Sequence, residues 1–342
     1  MKSILLVCIG TFLIIGCSTQ KETVQNSDNS ELNIYASSIF LNSDFYSDVI
    51  PVFEEIFNCQ IKLKEFNNVQ SMFQQIIAEK DSLEVDIILG LDNTLSAEAI
   101  SESLFIDYEP KNLKFVKKEL IFDKTNHLNP VYYCNLAFIY NSDAVEEPPE
   151  TFGEMQDGKF KNMIVIPNPE TSSFGRSMLL WSVSAFGENG YGHFWRSVKE
   201  NIFTVAEDYN DAYNVFLAAE APLLFGFSTI PVYYSQINKT TKYRSIIPQE
   251  GGYYLIHGVG IARSTKHQRL AEQFVEFLLS EDFQNLIPKE TWMFPVNKKV
   301  ELPYEFKLLP EPKKNLNGEL SSRVVQRSLK SWIKRWKKIM LD

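Results

Sequence analysis

Short apolar runs alternate along this chain with longer stretches in which apolar residues recur every three or four positions. LNIYA (32–36), IKLKEF (61–66), VDIILGL (85–91), LAFIYN (136–141), MIVIPN (163–168), PLLFGF (222–227) and GVGIA (258–262) have the length and composition of strands. VQSMFQQIIAEK, after the second run, predicts a helix. So does 267–283, where Leu270, Phe274, Phe277 and Leu278 keep helical spacing. Strands alternating with helices predict parallel α/β sheets. No internal repeat interrupts the pattern.

Both ends depart from it. MKSILLVCIGTFLIIGC has one lysine and then an uncharged, mostly apolar stretch from Ser3 to Gly16. That is shorter than the roughly 20 residues a bilayer span needs, but it suits a secretory leader. Ile14-Ile15-Gly16-Cys17 resembles a bacterial lipobox, which would make residues 1–16 a lipoprotein signal and Cys17 the lipidated first residue. An ordinary leader with an incidental cysteine is the plainer alternative. Residues 17–30 are polar and unpatterned and read as a flexible tether. At the other end, Arg323, Arg327, Lys330, Lys334, Arg335, Lys337 and Lys338 share a segment with Val325, Leu329, Trp332, Ile333, Trp336 and Met340. This basic amphipathic helix suits either a membrane surface or docking on the protein with its lysines solvated, and the second reading is preferred.

Composition narrows the function. At 44% hydrophobic and 13% aromatic, the chain has the means to build two lobes with real cores. Its formal net charge of −9 argues against nucleic acid as a partner. Beyond Cys17, a mature chain would keep only Cys59 and Cys134, too few for a disulfide scaffold and read as free thiols. There is no phosphate-binding glycine loop, HExxH, CxxC or GxSxG. His127, His193, His257 and His267 lack ligand spacing and read as surface or packing residues. No catalysis, cofactor or metal is expected.

What remains is a set of loops that suit a bound small molecule. DIILGLDNT (86–94) is a buried strand running into a loop with Asp92, where open α/β sheets place ligands. Asp92 either holds a ligand or caps the following helix. TWMFPV (291–296), FGFSTIPVYYSQ (225–236) and EDYNDAYNVF (207–216) set aromatic residues beside turn signals. Aromatic faces with a few carboxylates suit a flat or cationic ligand, each cation–ring contact contributing about 0.5–2 kcal/mol.

At these residues the chain resembles the thiamine-binding receptors of bacterial ABC importers, within the bilobed periplasmic-type solute-binding proteins. The resemblance runs from about Leu32 to Phe306 and rests on DIILGLDNTL, PNPETSSFGRSMLLW, AEAPLLFGFSTIPVYY, EGGYYL and FVEFLLSEDFQNLIPKETWMFPV, with LPYEF after it. It implies a type II-like fold of two α/β lobes. Residues 31–130 and 255–310 would form one lobe and 131–254 the other. Two hinge crossings would lie near Pro130 and Gly252, with the basic segment 311–342 packed on a lobe. It further implies a lipid-anchored, extracytoplasmic receptor that closes on thiamine or a related heteroaromatic cation and delivers it to an ABC permease and its ATPase. By position, Trp292, Tyr233 and Tyr209 would be aromatic walls. Asp92, and Asp208 or Asp211, would be charged partners, and Thr171, Ser172 and Ser173 a hydroxyl run.

The departures from the family pattern weigh on the ligand. An aspartate expected beside the pyrimidine ring is Ser38, a tryptophan wall is Tyr209, and a tyrosine is Phe227. The arginine of Asp-Pro-Arg-Thr-Ser is Glu170, which speaks against phosphate recognition. The hinge-side Phe-Asp-Tyr-Gly-Tyr is Val131-Tyr132-Tyr133-Cys134-Asn135. Two alternatives follow: a ferric-ion receptor using Tyr233-Tyr234, as in a neighbouring family, or a surface antigen or adhesin that has kept the fold and lost transport.

Overall fold

The computed structural model of the protein describes residues 30–37 and 45–342. Cys17, Ser38, the leader and nearly all of the tether lie outside the described residues. The strands are β1 (Ser30–Ser37), β2 (Cys59–Phe66), β3 (Ile87–Asp92), β4 (Phe105–Ile106), β5 (Asn129–Asn141), β6 (Ile164–Pro167), β7 (Ile202–Ala206), β8 (Leu223–Phe227), β9 (Tyr243–Ile246), β10 (Tyr254–Ala262) and β11 (Phe294–Pro295). The helices are α1 (Phe45–Phe57), α2 (Val69–Ala78), α3 (Ser96–Ser101), α4 (Ser173–Val198), α5 (Tyr209–Leu217), α6 (Ile230–Ile237), α7 (Gln268–Leu278), α8 (Glu281–Leu286) and α9 (Ser322–Met340).

The chain folds as two α/β lobes that share one strand. β5 is thirteen residues long and buried along nearly all of it. Its first half, Asn129 to Asn135, lies antiparallel to β10, and its second half, from Leu136, pairs antiparallel with β8 and β9. The sheet therefore runs β2-β1-β3-β10-β5 on one side and β5-β8-β6-β7 on the other. Pro130 sits inside the first sheet opposite Gly258, next to a register shift where its missing N–H is tolerated. The change of partners comes after it, between Asn135 and Leu136. The chain returns through residues 247–253, where Gly251 has φ +133°, a conformation that favours glycine.

The parallel sheets expected from the alternation are parallel only in part. β1 with β2 and β3, and β6 with β7 and β8, are parallel, but β5 and β10 at the centre are antiparallel to their neighbours. Alternation of strands and helices cannot register a strand that returns from the other lobe. The helix expected over 267–283 is likewise two helices. Ser280 breaks it: its hydroxyl accepts from the Phe283 N–H at 3.3 Å and caps α8.

Aromatic packing dominates the second lobe. Phe152, fully buried, has the rings of Phe138, Trp181, Phe186 and Phe194 around it at 4.9–5.6 Å, all in edge-to-face arrangements. α9 lies across both lobes, against α4 in one and α3 in the other. Its apolar stripe, Leu329, Trp332, Trp336 and Met340, is buried, while its basic residues face outward. Trp336 meets Trp195 edge to face at 5.9 Å, and the Arg335 guanidinium lies over the Tyr191 ring at 5.0 Å. Cys59 and Cys134 are free thiols.

Candidate functional site

The N-termini of α2, α4 and α5 converge where the lobes meet. Each begins with a capping side chain that holds the first turn in register. Asn68 Oδ1 accepts from Ser71 N–H at 2.8 Å, Ser172 Oγ from Gly175 N–H at 3.2 Å, and Asp208 Oδ1 from Asp211 N–H at 3.0 Å. All three caps line a cavity of about 90 Å³.

Both lobes contribute to its wall. From the second lobe come Ser172, Ser173, Phe174, Asp208, Tyr209, Asn210 and Phe227. From the first come Asn67, Asn68, Val69, Leu255, His257 and Met293, with Tyr132 from the shared strand. Phe174, Tyr209 and Phe227 form one aromatic cluster, with ring centroids 4.2, 4.9 and 5.0 Å apart. Burial pushes the Tyr209 phenol well above its ordinary range, so the residue is neutral. Asp208 supplies a carboxylate at the rim.

Trp292 and Tyr233 do not line this cavity, but the structure brings them to each other. Their rings stand edge to face at 5.7 Å, and Met293, the next residue after Trp292, does line it. The neighbouring Tyr234 hydroxyl accepts from the Tyr213 hydroxyl at 2.8 Å, and Tyr213 stacks on Tyr209 at 6.1 Å. An aromatic belt thus runs from the Trp292 loop to the cavity wall.

Asp92 lies deeper. It is fully buried at the end of β3, and its Oδ1 accepts from both the Thr94 N–H at 2.9 Å and the Thr94 hydroxyl at 2.7 Å. Asp92 thus closes the turn at Thr94 and does not cap α3, which begins after Leu95 with no side-chain cap; its Oδ2 is buried with no hydrogen-bond partner among the described residues. Across the lobe boundary, Arg176 of α4 is largely buried near Glu98 of α3, at 4.0 Å. Burial lowers its pKa, against the opposing pull of Glu98 and Asp92.

The remaining expected positions are engaged elsewhere. The Thr171 hydroxyl donates to the Glu207 carbonyl at 2.5 Å, and Asp211 is exposed in the first turn of α5. Glu170 pairs with Lys337 of α9 at 2.6 Å.

Sequence reasoning missed His257, which lines the cavity although it read as a packing residue. It is 8% exposed, its ring stacks on Tyr132 at 4.8 Å and 21°, and its Nδ1 lies 3.1 Å from the Gly90 carbonyl. The signal available was a histidine inside an otherwise apolar strand, YLIHGVGIA, where an imidazole needs a specific partner.

A cavity lined by two α/β lobes that share a strand defines the bilobed solute-binding class. The chain belongs to the family of bacterial extracellular solute-binding proteins, whose family model matches residues 84–311. It is 30% identical over 290 residues to the thiamine-binding periplasmic protein of Salmonella typhimurium, covering 85% of this chain and 87% of that one. It is 27% identical to the protein of the same name from Brucella abortus, over 98% of both chains. Among solved structures it resembles a periplasmic thiamin-binding protein, with a TM-score of 0.81 and 26% identity over 91% of this chain and 96% of that one.

Proposed function

We propose that this protein is an extracytoplasmic receptor that captures thiamine, or a closely related heteroaromatic cation, and delivers it to an ABC permease. The observation that carries this reading is the aromatic-walled cavity at the lobe boundary, with the Asp208 carboxylate at its rim. Stacked rings and a carboxylate are the chemistry that a flat cation needs, and the relatives named for thiamine support the choice. The Tyr233–Trp292 pair, contributed by opposite lobes, serves as a closure contact at the rim. With a glutamate at position 170, engaged by Lys337, unphosphorylated thiamine is preferred over its phosphate. Lipidation at Cys17 would tether the receptor to the membrane, with no chemistry performed on the ligand.

Iron binding by Tyr233-Tyr234 is disfavoured, because the Tyr234 hydroxyl is already bonded to the Tyr213 hydroxyl at 2.8 Å. The test is calorimetric titration of chain from Ser18 onward, unfolded and refolded to strip carried ligand. Thiamine, thiamine phosphate and ferric citrate serve as parallel titrants. One-to-one binding of thiamine supports the receptor reading. Silence toward thiamine from well-folded protein overturns it, and a signal with ferric citrate alone would replace it.

A further inference from the structure

Among the described residues, His257 is the histidine that lines the cavity. It stands on β10, opposite Asp92 of β3 and Tyr132 of β5. The strand changes register immediately after it on the β5 side, and again one residue later on the β3 side. Such irregularities re-aim side chains, and here the residue lines the cavity where the lobes meet. Gly258 permits the bend: a Cβ there would come within 2.8 Å of Phe122 and 3.0 Å of the Asn129 carbonyl.

The hydrogen bonding fixes the tautomer. The Gly90 carbonyl, 3.1 Å from Nδ1, can only accept, so the proton sits on Nδ1. Nε2 then carries a lone pair. It is buried, and among the described residues it has no hydrogen-bond partner. The stack on Tyr132 keeps the ring from turning to find one. A buried, unsatisfied acceptor on a residue that lines a cavity is a group that a ligand donor can satisfy.

We propose that His257 is a specificity-determining residue of the cleft, its Nε2 accepting a hydrogen bond from the exocyclic amino group of a bound heteroaromatic ligand. This rests on the thiamine reading, since thiamine's aminopyrimidine presents such an N–H. Oxythiamine has a carbonyl at that place, so its oxygen would meet the Nε2 lone pair. A site built around a hydrogen bond rejects an analogue that cannot make it far more strongly than an apolar pocket rejects a change of size.

The experiment titrates thiamine and oxythiamine into the full chain and into His257→Leu and His257→Gln. Wild-type protein is expected to prefer thiamine by at least about tenfold. In His257→Leu thiamine binding falls to the oxythiamine level. His257→Gln, which still offers a carbonyl oxygen, recovers part of the preference. Undiminished preference in His257→Leu overturns the assignment while leaving the receptor reading intact. No thiamine binding by wild-type protein overturns both. Should the variants fail to fold, ¹⁵N-histidine NMR of wild-type protein decides. An unprotonated Nε2 resonance that moves on adding thiamine supports the proposal, and one that stays fixed overturns it.

Discussion

Tyr233 and Trp292 come from opposite lobes, and their rings meet edge to face with centroids 5.7 Å apart. Trp292 is held there by its backbone, which is left-handed (φ 60°, ψ 24°) at the end of the turn over 287–291. An L residue pays roughly 1–2 kcal/mol for that conformation, so the surrounding structure enforces it. Trp292→Ala removes one side of this inter-lobe contact. Thiamine affinity is expected to drop at least about tenfold by calorimetry, the loss typical of an aromatic hot spot. Unchanged affinity would remove Trp292 from the binding apparatus.

Much of the fold was legible because apolar periodicity reports burial directly. β1, β2, β3, β6 and β8 lie within a residue or two of the runs that predict them. The first half of β5 was not legible, because Asn129-Pro130 reads as a loop and only the two-lobe arrangement makes it a strand. The site was partly legible. Tyr209, Phe227, Ser172 and Ser173 line the cavity, and each stands beside a turn or cap signal. Tyr132 and His257 stayed hidden because they lie inside strands, where an inward-facing residue looks the same whether it meets core or cleft.

Asp92 separates turn closure from ligand electrostatics. Asp92→Asn keeps an oxygen for the Thr94 N–H and hydroxyl, whereas Asp92→Ala loses both bonds. Urea denaturation is expected to find the alanine variant less stable than the asparagine variant by about 1–3 kcal/mol. Thiamine affinity of the asparagine variant should stay within about threefold of wild type. A loss beyond about tenfold, near 1.4 kcal/mol, would instead give the carboxylate charge a direct role in binding.

The C-terminal helix is fastened by its apolar stripe rather than by its charges. Trp336 is fully buried against Trp195, and its truncation to alanine should cost about 3–5 kcal/mol. Lys330 lies 3.9 Å from Glu98 but its side chain is 90% exposed, so Lys330→Ala should cost about 0–1 kcal/mol. Equilibrium denaturation of the two variants checks the contrast. Comparable losses would mean that ion pairs hold α9 in place.

Acid stability should carry the signature of His257. Burial lowers its pKa, outweighing the nearby Asp92 carboxylate and the Gly90 carbonyl, which both favour the proton. Tyr132 faces the ring from β5 and Asp208 shares the cavity from α5, while Arg176 of α4 lies near enough to Asp92 to feel its charge. Because the folded pKa is depressed, the unfolded chain takes up a proton near its ordinary value of about 6.5 while the folded chain does not. The stability due to the neutral ring is therefore complete above about pH 6.5 and drains away as pH falls toward the folded value. Between about pH 7.5 and 5 the urea midpoint of wild type should fall relative to that of His257→Leu as acid is added, since the leucine variant lacks this slope. Parallel curves would mean that His257 titrates alike in the folded and the unfolded chain, so that burial does not hold the ring neutral. A wild-type curve that gains stability on the leucine variant as acid is added would mean that the folded ring is protonated, which would remove the lone pair that its role in the cleft requires.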